Sequence, residues 1–333
     1  TMNGNSAVYS GLVTGDTFGG TYTGVFSNAN VGTGKTVTIT PSYSGADVNN
    51  YSVTNQSSTT ADISAKALTA TASASNKTYD GGTTASTTLT FTGLVGSETL
   101  GQTVGSTFDN KNVGTGKTVT VNSITLADGS GLAANYSISA GQTTTANITP
   151  KALTVSGITA SNKMYDGNTV ATLSSSNVTY SGIVSGDSFA GSFSGSFSDK
   201  NIGTGKTVTI TSSYSGSDVS NYTVTDQSST TANITSRDLE VTGITVFGLT
   251  VNNKEYDGTV TAPLKTDNIS YSGLVEGDDF TGSYSGVFAN ANVGNGKTVT
   301  ITSTYSGADA GNYTVTNQSS ATGNIVPKVL TAT

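Results

Sequence analysis

The sequence predicts an all-β protein built from tandem small domains, and three observations carry that prediction. Its 333 residues are dominated by strand and turn formers. The same motifs return at a near-constant spacing. No stretch places apolar residues at helical spacing over three turns.

Composition comes first. Thr, Val, Tyr and Ile suit a pleated surface, whereas Gly, Asn, Asp and Ser suit turns. Charged residues make up 11% of the chain, against about 25% in an ordinary globular protein. There is no His and no Cys. That removes the Ser–His–Asp triad, the Cys nucleophile, the usual zinc sites and every disulfide. No catalytic group, cofactor or metal is expected. The net charge of −7 argues against a nucleic-acid partner. No apolar run reaches the roughly 18–20 residues that span a membrane. The chain opens at Thr1 in mid-pattern, without a signal peptide, as expected for a fragment of something longer.

The repeat sets the domain plan. "VGTGKTVTI" at 31–39 returns at 113–121, 202–210 and 293–301, with lysines 35, 117, 206 and 297, so the spacings are 82, 89 and 91. "NKTYDG" at 76–81 returns as "NKMYDG" at 162–167 and "NKEYDG" at 253–258. This divides the chain into a partial unit at 1–65, full units at 66–150, 151–236 and 237–326, and the start of another at 327–333. The fourth unit carries extra residues around "VFGLTVNNKEYDG", Lys265 and Asp267, which read as a longer loop.

Within unit 151–236, seven short segments read as strands: "ALTVSGI", "TVATL", "NVTYSGI", "SFAGSFSGSF", "KTVTITSSY", "NYTVT" and "TTANIT". Val208 and Ile210 alternate with Thr207, Thr209 and Thr211, which gives one buried and one wet face. An immunoglobulin-like sandwich is favoured. A β-grasp fold, which needs a helix across its sheet, is the alternative. Short Pro-containing joints such as "NITPKALT" point to an elongated rod of monomeric chain.

Each recurring motif has a bland and a sharp interpretation. The GTGK stretch resembles a phosphate loop, but the first glycine of G-x-x-x-x-G-K is replaced by Ala29, Lys111, Lys200 and Ala291. A strand pattern follows instead of a helix. A turn between two strands, with glycine at positive φ, fits better. The YDG stretch, with Tyr79 and Asp80, Tyr165 and Asp166, and Tyr256 and Asp257, reads as a structural turn in which Asp caps backbone amides and Tyr packs at the core edge. The sharper alternative is an intramolecular Lys–Asn cross-link through Lys77, Lys163 and Lys254. Asp16, Asp187, Asp278 and Asp279 read as solvated turn acids, because no D-x-D-x-D-G calcium loop is present. Tyr51, Tyr222 and Tyr313 each follow an Asp by four residues, as in a tyrosine corner, whereas Asp128 precedes Tyr136 by eight. Tyr22, Phe193 and Tyr284 alternate with Gly and Ser and suit cross-strand pairing or a glycan-stacking face.

Together, the YDG turns, "NVGTGKTVTV", "SGADAGNY" and "ANITPKALT" resemble the YDG-type and MBG-type repeats of bacterial filamentous-haemagglutinin-like adhesins. The resemblance covers essentially the whole chain. It departs at "YDGGTT" (79–84), at the altered spacing before Tyr136, and at "SRDLEV" in place of the PKALT joint. It implies stalk repeats of a large extracellular or cell-surface protein. The parent protein would meet a host or neighbouring-cell surface or a matrix glycan. No enzymatic activity is carried across. The alternative is a weak glycan- or cell-binding module that acts by avidity.

Overall fold

A computed structural model describes residues 7–246 and 253–332. The extra residues of the fourth unit's loop at 247–252 lie outside the described residues. The chain divides into two compact units, Thr1–Lys151 and Ala152–Thr333.

Among the described residues there is no α-helix, only single 3₁₀ turns such as Val48–Asn50 and Val219–Asn221. The protein is a set of small all-β domains, and the crossing helix of the β-grasp alternative is not found among the described residues.

In the first unit, residues 7–63 contribute a three-stranded antiparallel sheet of Gly19–Phe26, Gly32–Ser44 and Ser58–Ile63. The second repeat has a five-stranded sheet. Its order is Lys77–Thr78, Thr143–Thr149, Gly114–Asp128, Leu100–Phe108 and Thr84–Ala85. Beside it, Thr69–Ala74 pairs with Thr87–Thr92 over six residues.

In the second unit, both repeats follow one plan. The third has a five-stranded sheet ordered Lys163–Met164, Ser229–Thr235, Gly203–Ser215, Ala190–Phe197 and Val170–Ala171. A three-stranded sheet places Lys151–Ser156 between Thr179–Ser181 and Tyr222–Thr225. The fourth repeats this with Arg237–Thr242 between Ser270–Ser272 and Tyr313–Thr316. Both five-stranded sheets of this unit, and the three-stranded sheet of the fourth repeat, carry a parallel pairing, such as Lys163 with Ile234 and Arg237 with Tyr313, that the alternation of residues does not announce.

The alternation works as the sequence implies. Val208 is 0% exposed and Ile210 is buried, while Thr207, Thr209 and Thr211 face water. Leu239 and Val241 of a three-stranded sheet share a core with Ile301 of the five-stranded one, so the two layers bury each other. That same core runs on into Tyr165, Phe197, Val208 and Ile234 of the third repeat. At about 25 cal/mol per Å² of apolar area, this continuity is what stabilises domains too small for a large core of their own.

The GTGK stretch is not a turn between two strands. It lies inside one long strand, Gly203–Ser215 in the third repeat, as a β-bulge. Gly203 pairs with Ile234 and Lys206 with Ala232, so one extra residue is accommodated. Gly205 takes φ +61°, and its amide donates to Asn233 Oδ1 at 2.7 Å. Asp62, Asn147 and Asn324 serve the same amide in the other repeats. The lysine then folds back on the preceding loop: Lys206 Nζ lies 2.6 Å from Asp199, and Lys297 Nζ 2.7 Å from the Asn292 carbonyl.

Candidate functional site: the joint between successive repeats

Recurrent polar residues gather at the YDG turn of the second to fourth repeats and at the loop before the NY motif of all four. The YDG turn is built from its aspartate. Asp80 Oδ1 accepts from Gly82 N at 2.9 Å, Asp166 Oδ1 from Asn168 N at 3.2 Å, and Asp257 Oδ1 from Thr259 N at 2.8 Å. The lysine sits inside this turn. Lys77 Nζ donates to Asp80 Oδ1 (2.7 Å), the Gly82 carbonyl (2.8 Å) and the Thr84 carbonyl (3.2 Å). Lys254 Nζ donates to the carbonyls of Thr259 (2.9 Å) and Thr261 (2.8 Å) and pairs with Asp257 at 2.9 Å. Lys163 makes the same set and adds Asn168 Oδ1 at 3.0 Å. Lys77 and Lys163 also lie 5.7 and 5.5 Å from the ring centres of Phe108 and Phe197.

Each of these nitrogens is surrounded by at least three oxygen acceptors, as many as an ammonium group has protons to donate. Lys163 Nζ has an asparagine side chain within hydrogen-bond distance, Asn168 Oδ1 at 3.0 Å. The carboxyls record the cation: Lys77 holds Asp80 below the ordinary carboxylate range, and Lys254 with the Thr259 amide and hydroxyl takes Asp257 to about 2. For Asp166, burial opposes the shift, and Lys163 and the Asn168 amide outweigh it.

The tyrosine leaves the turn altogether. Tyr79 and Tyr165 are buried, at 1% and 0% exposure, whereas Tyr256 is 41% exposed. In the second unit the reason is visible. Tyr165 of the third repeat donates to Asp278 Oδ2 of the fourth at 2.8 Å and to Asp309 Oδ1 at 3.3 Å. Its ring packs edge-on against Tyr313, 5.5 Å between centres. Lys200 Nζ closes the cluster, 2.8 Å from Asp309 and 3.3 Å from Asp278, whose side chains are 10% and 4% exposed. The carboxylates raise Lys200, and Lys200 with the Asp279 amide lowers Asp309. Burial and Asp278 push both Tyr165 and Tyr313 up to about 12.

Beside this cluster is an asparagine clasp. Ile202 N donates to Asn312 Oδ1 at 3.0 Å, and Asn312 Nδ2 donates to Asn201 Oδ1 at 3.1 Å. The first unit repeats it: Val31 N donates to Asn135 Oδ1 at 2.9 Å, and Asn135 Nδ2 to Asn30 Oδ1 at 3.1 Å.

Tyr51, Tyr222 and Tyr313 share one arrangement. Each hydroxyl accepts from a valine amide 38 residues upstream: Val13 (3.0 Å), Val184 (2.8 Å) and Val275 (2.9 Å). Each donates to an acid of the same loop: Asp16 (2.5 Å), Asp187 (2.5 Å) and Asp278 (2.6 Å). The bond ties a distant loop rather than the tyrosine's own turn. Tyr136 does the same with Val95 N (3.1 Å) and Glu98, despite its altered spacing. Of the acids read as solvated turn residues, Asp16, Asp187 and Asp278 are therefore the acceptors of this network, while Asp279 Oδ2 accepts from the Ala308 amide at 2.9 Å. The preceding aspartate caps the same loop: Asp47 Oδ2 accepts from Thr17 N (2.8 Å), Asp218 from Ser188 N (3.0 Å) and Asp309 from Asp279 N (3.1 Å). Ser130 fills that place in the second repeat, accepting from Thr99 N at 2.9 Å.

Tyr22, Phe193 and Tyr284 are half-buried and pack edge-on against Tyr43, Tyr214 and Tyr305, 6.2–6.4 Å between centres. Among the described residues, no group of three or more acidic side chains is arranged to hold a metal ion, and no helix is long and apolar enough to cross a membrane.

No curated protein is significantly similar to the chain. The YDG domain family model matches it four times, over residues 1–61, 64–146, 149–232 and 241–322. With four matches along almost its whole length, the chain belongs to the YDG domain family.

Proposed function

We propose that these repeats are the structural stalk of a bacterial surface or secreted adhesin, projecting a distal binding region. The joint of the second unit carries this reading. Its most buried polar residues, Tyr165, Asp278, Asp309 and Asn312, hold one repeat to the next rather than facing a ligand. The same asparagine clasp recurs at the first joint. Repetition supports a non-enzymatic role, since the YDG aspartates and the NY tyrosines have structural partners of the same kind in successive copies. The low-charge surface rich in Ser, Thr and Asn suits an extracellular place. The parent protein, through its distal region, would meet a host or neighbouring-cell surface or matrix glycan.

The testing experiment is single-molecule extension of the whole chain between its ends. A stalk gives a resisted, stepwise rupture, with steps of one repeat or a joined pair. Extension without resistance contradicts it. A second reading has one supporting observation: the aromatic set around Phe18, Phe189 and Phe280 recurs in three repeats. It would make each repeat a weak glycan site acting by avidity. Binding of the chain to a glycan array, lost on Tyr22→Ala, Phe193→Ala and Tyr284→Ala together, would favour it over the stalk.

A further inference from the structure

We infer that the face of the first repeat formed by Asp16, Asp47, Asn50 and Tyr51 receives the outward face of another repeat of this fold, one that presents a lysine, an asparagine and a YDG tyrosine. The inference rests on joint geometry and not on the stalk reading.

The joint of the second unit defines what each side contributes. The outward face of the third repeat presents Tyr165, Lys200, Asn201 and Ile202. The receiving face of the fourth presents Asp278, Asp309, Asn312 and Tyr313. Each receiving aspartate divides its oxygens. One serves its own repeat: Asp278 Oδ2 takes Tyr313, and Tyr165 across the joint as well, while Asp309 Oδ2 takes the Asp279 amide. The other, Oδ1, takes Lys200.

The first repeat has the same inner half. Asp16 Oδ2 takes Tyr51, and Asp47 Oδ2 takes the Thr17 amide. Among the described residues, no partner is seen for Oδ1 of either. Asn50 is exposed and Tyr51 half-buried, where Asn312 is 3% and Tyr313 8% exposed. Val13 is 62% exposed, whereas its counterpart Val275 is half-buried. The face therefore offers two carboxylate oxygens, a clasp asparagine and an apolar shoulder, and lacks a cation. Covering it without one would bury unpaired charge, which is costly.

Lysine and second carboxylate change together. At the joint of the first unit, Ala29 stands where the third repeat has Lys200, and Ser130 stands where the fourth has Asp309. That joint keeps the asparagine clasp alone. The occupant of the first repeat's face must then be of the lysine type. The chain's own fourth repeat is not: it presents Tyr256 and Asn292 but has Ala291 at the lysine position. One residue thus keeps two copies from joining end to end.

The test is sedimentation velocity on the whole chain as wild type, Ala291→Lys, and Ala291→Lys with Asp47→Asn. Asparagine at 47 can still accept from the Thr17 amide, so it removes charge without removing the cap. Circular dichroism of each variant checks that the β fold is kept. Ala291→Lys is expected to associate end to end at least about ten-fold more tightly than wild type, an effect of about 1.4 kcal/mol. Added salt weakens this association, and Asp47→Asn abolishes it. If folded Ala291→Lys sediments as wild type does, or if its association survives Asp47→Asn, the inference is overturned.

Discussion

Tyr165, in the YDG turn of the third repeat, spends its phenol on Asp278 of the fourth, 113 residues away, at 2.8 Å. The signature tyrosine of the turn thus serves the joint. The turn itself is held by Asp166 and Lys163. This separation of roles leads to distinct expectations for each residue.

Tyr165→Phe removes the one hydroxyl proton that Asp278 accepts at 2.8 Å, and that Asp309 shares at 3.3 Å, in a buried cluster. The expected cost is about 1–3 kcal/mol. Tyr256→Phe, at the same place in the fourth repeat but 41% exposed, is expected to cost less than about 0.5 kcal/mol. Denaturant unfolding of the two variants side by side checks the contrast.

Lys200→Met strips the cation from Asp278 and Asp309. Asp309 then rises toward its ordinary range, so acid destabilisation of the second unit begins at higher pH than in wild type. Lys265→Met is the control: its contact with Asp267 is 3.7 Å long with both side chains exposed, and such pairs contribute little. Thermal unfolding from pH 7 down to pH 3 reads both.

The pH dependence has two limbs. Asp309 and Asp257 are lowered in the fold, Asp257 to about 2. Their contribution is present above the unfolded carboxylate value, about 3.9, and is lost as pH falls through the folded values. Tyr165 and Tyr313 are raised from 10.0 to about 12. Their contribution is present below pH 10 and is lost as pH rises toward 12. Stability of the second unit is therefore expected to be flat between about pH 5 and 9 and to fall on either side. Fluorescence-monitored unfolding across pH 2–12 measures it.

The lysines of the YDG turns sit in cages of oxygen acceptors. The purified chain is expected to show its unmodified sequence mass. A deficit of about 17 Da per turn, one ammonia, would mean that Lys77, Lys163 or Lys254 reacts as an amine after all. Intact mass spectrometry distinguishes the two.

Local features were legible in the sequence, and distant ones were not. Alternation at Val208 and Ile210 announced the buried face because strand geometry fixes which side each residue takes. Asp80, Asp166 and Asp257 announced a capped turn because their partners are two residues away. The destination of Tyr165 was hidden, since nothing local distinguishes a tyrosine at the core edge from one reaching into the next repeat. Tyr136 was obscured by the eight-residue spacing from Asp128, although the recurring NY pair marked it. The GTGK bulge read as a turn because glycine at positive φ serves both. A signal for the joint of the second unit was present: Lys200 stands where the first and fourth repeats have Ala29 and Ala291, a charge difference that local turn chemistry does not require.

The central claim is that Tyr165 clasps the following repeat. A double-mutant cycle on Tyr165→Phe and Asp278→Asn, by denaturant unfolding of the whole chain, tests it most directly. The structure predicts a coupling of about 1–2 kcal/mol between residues in direct contact through one hydrogen bond. Costs that add to within about 0.3 kcal/mol would show that the two residues act independently, and would contradict the claim.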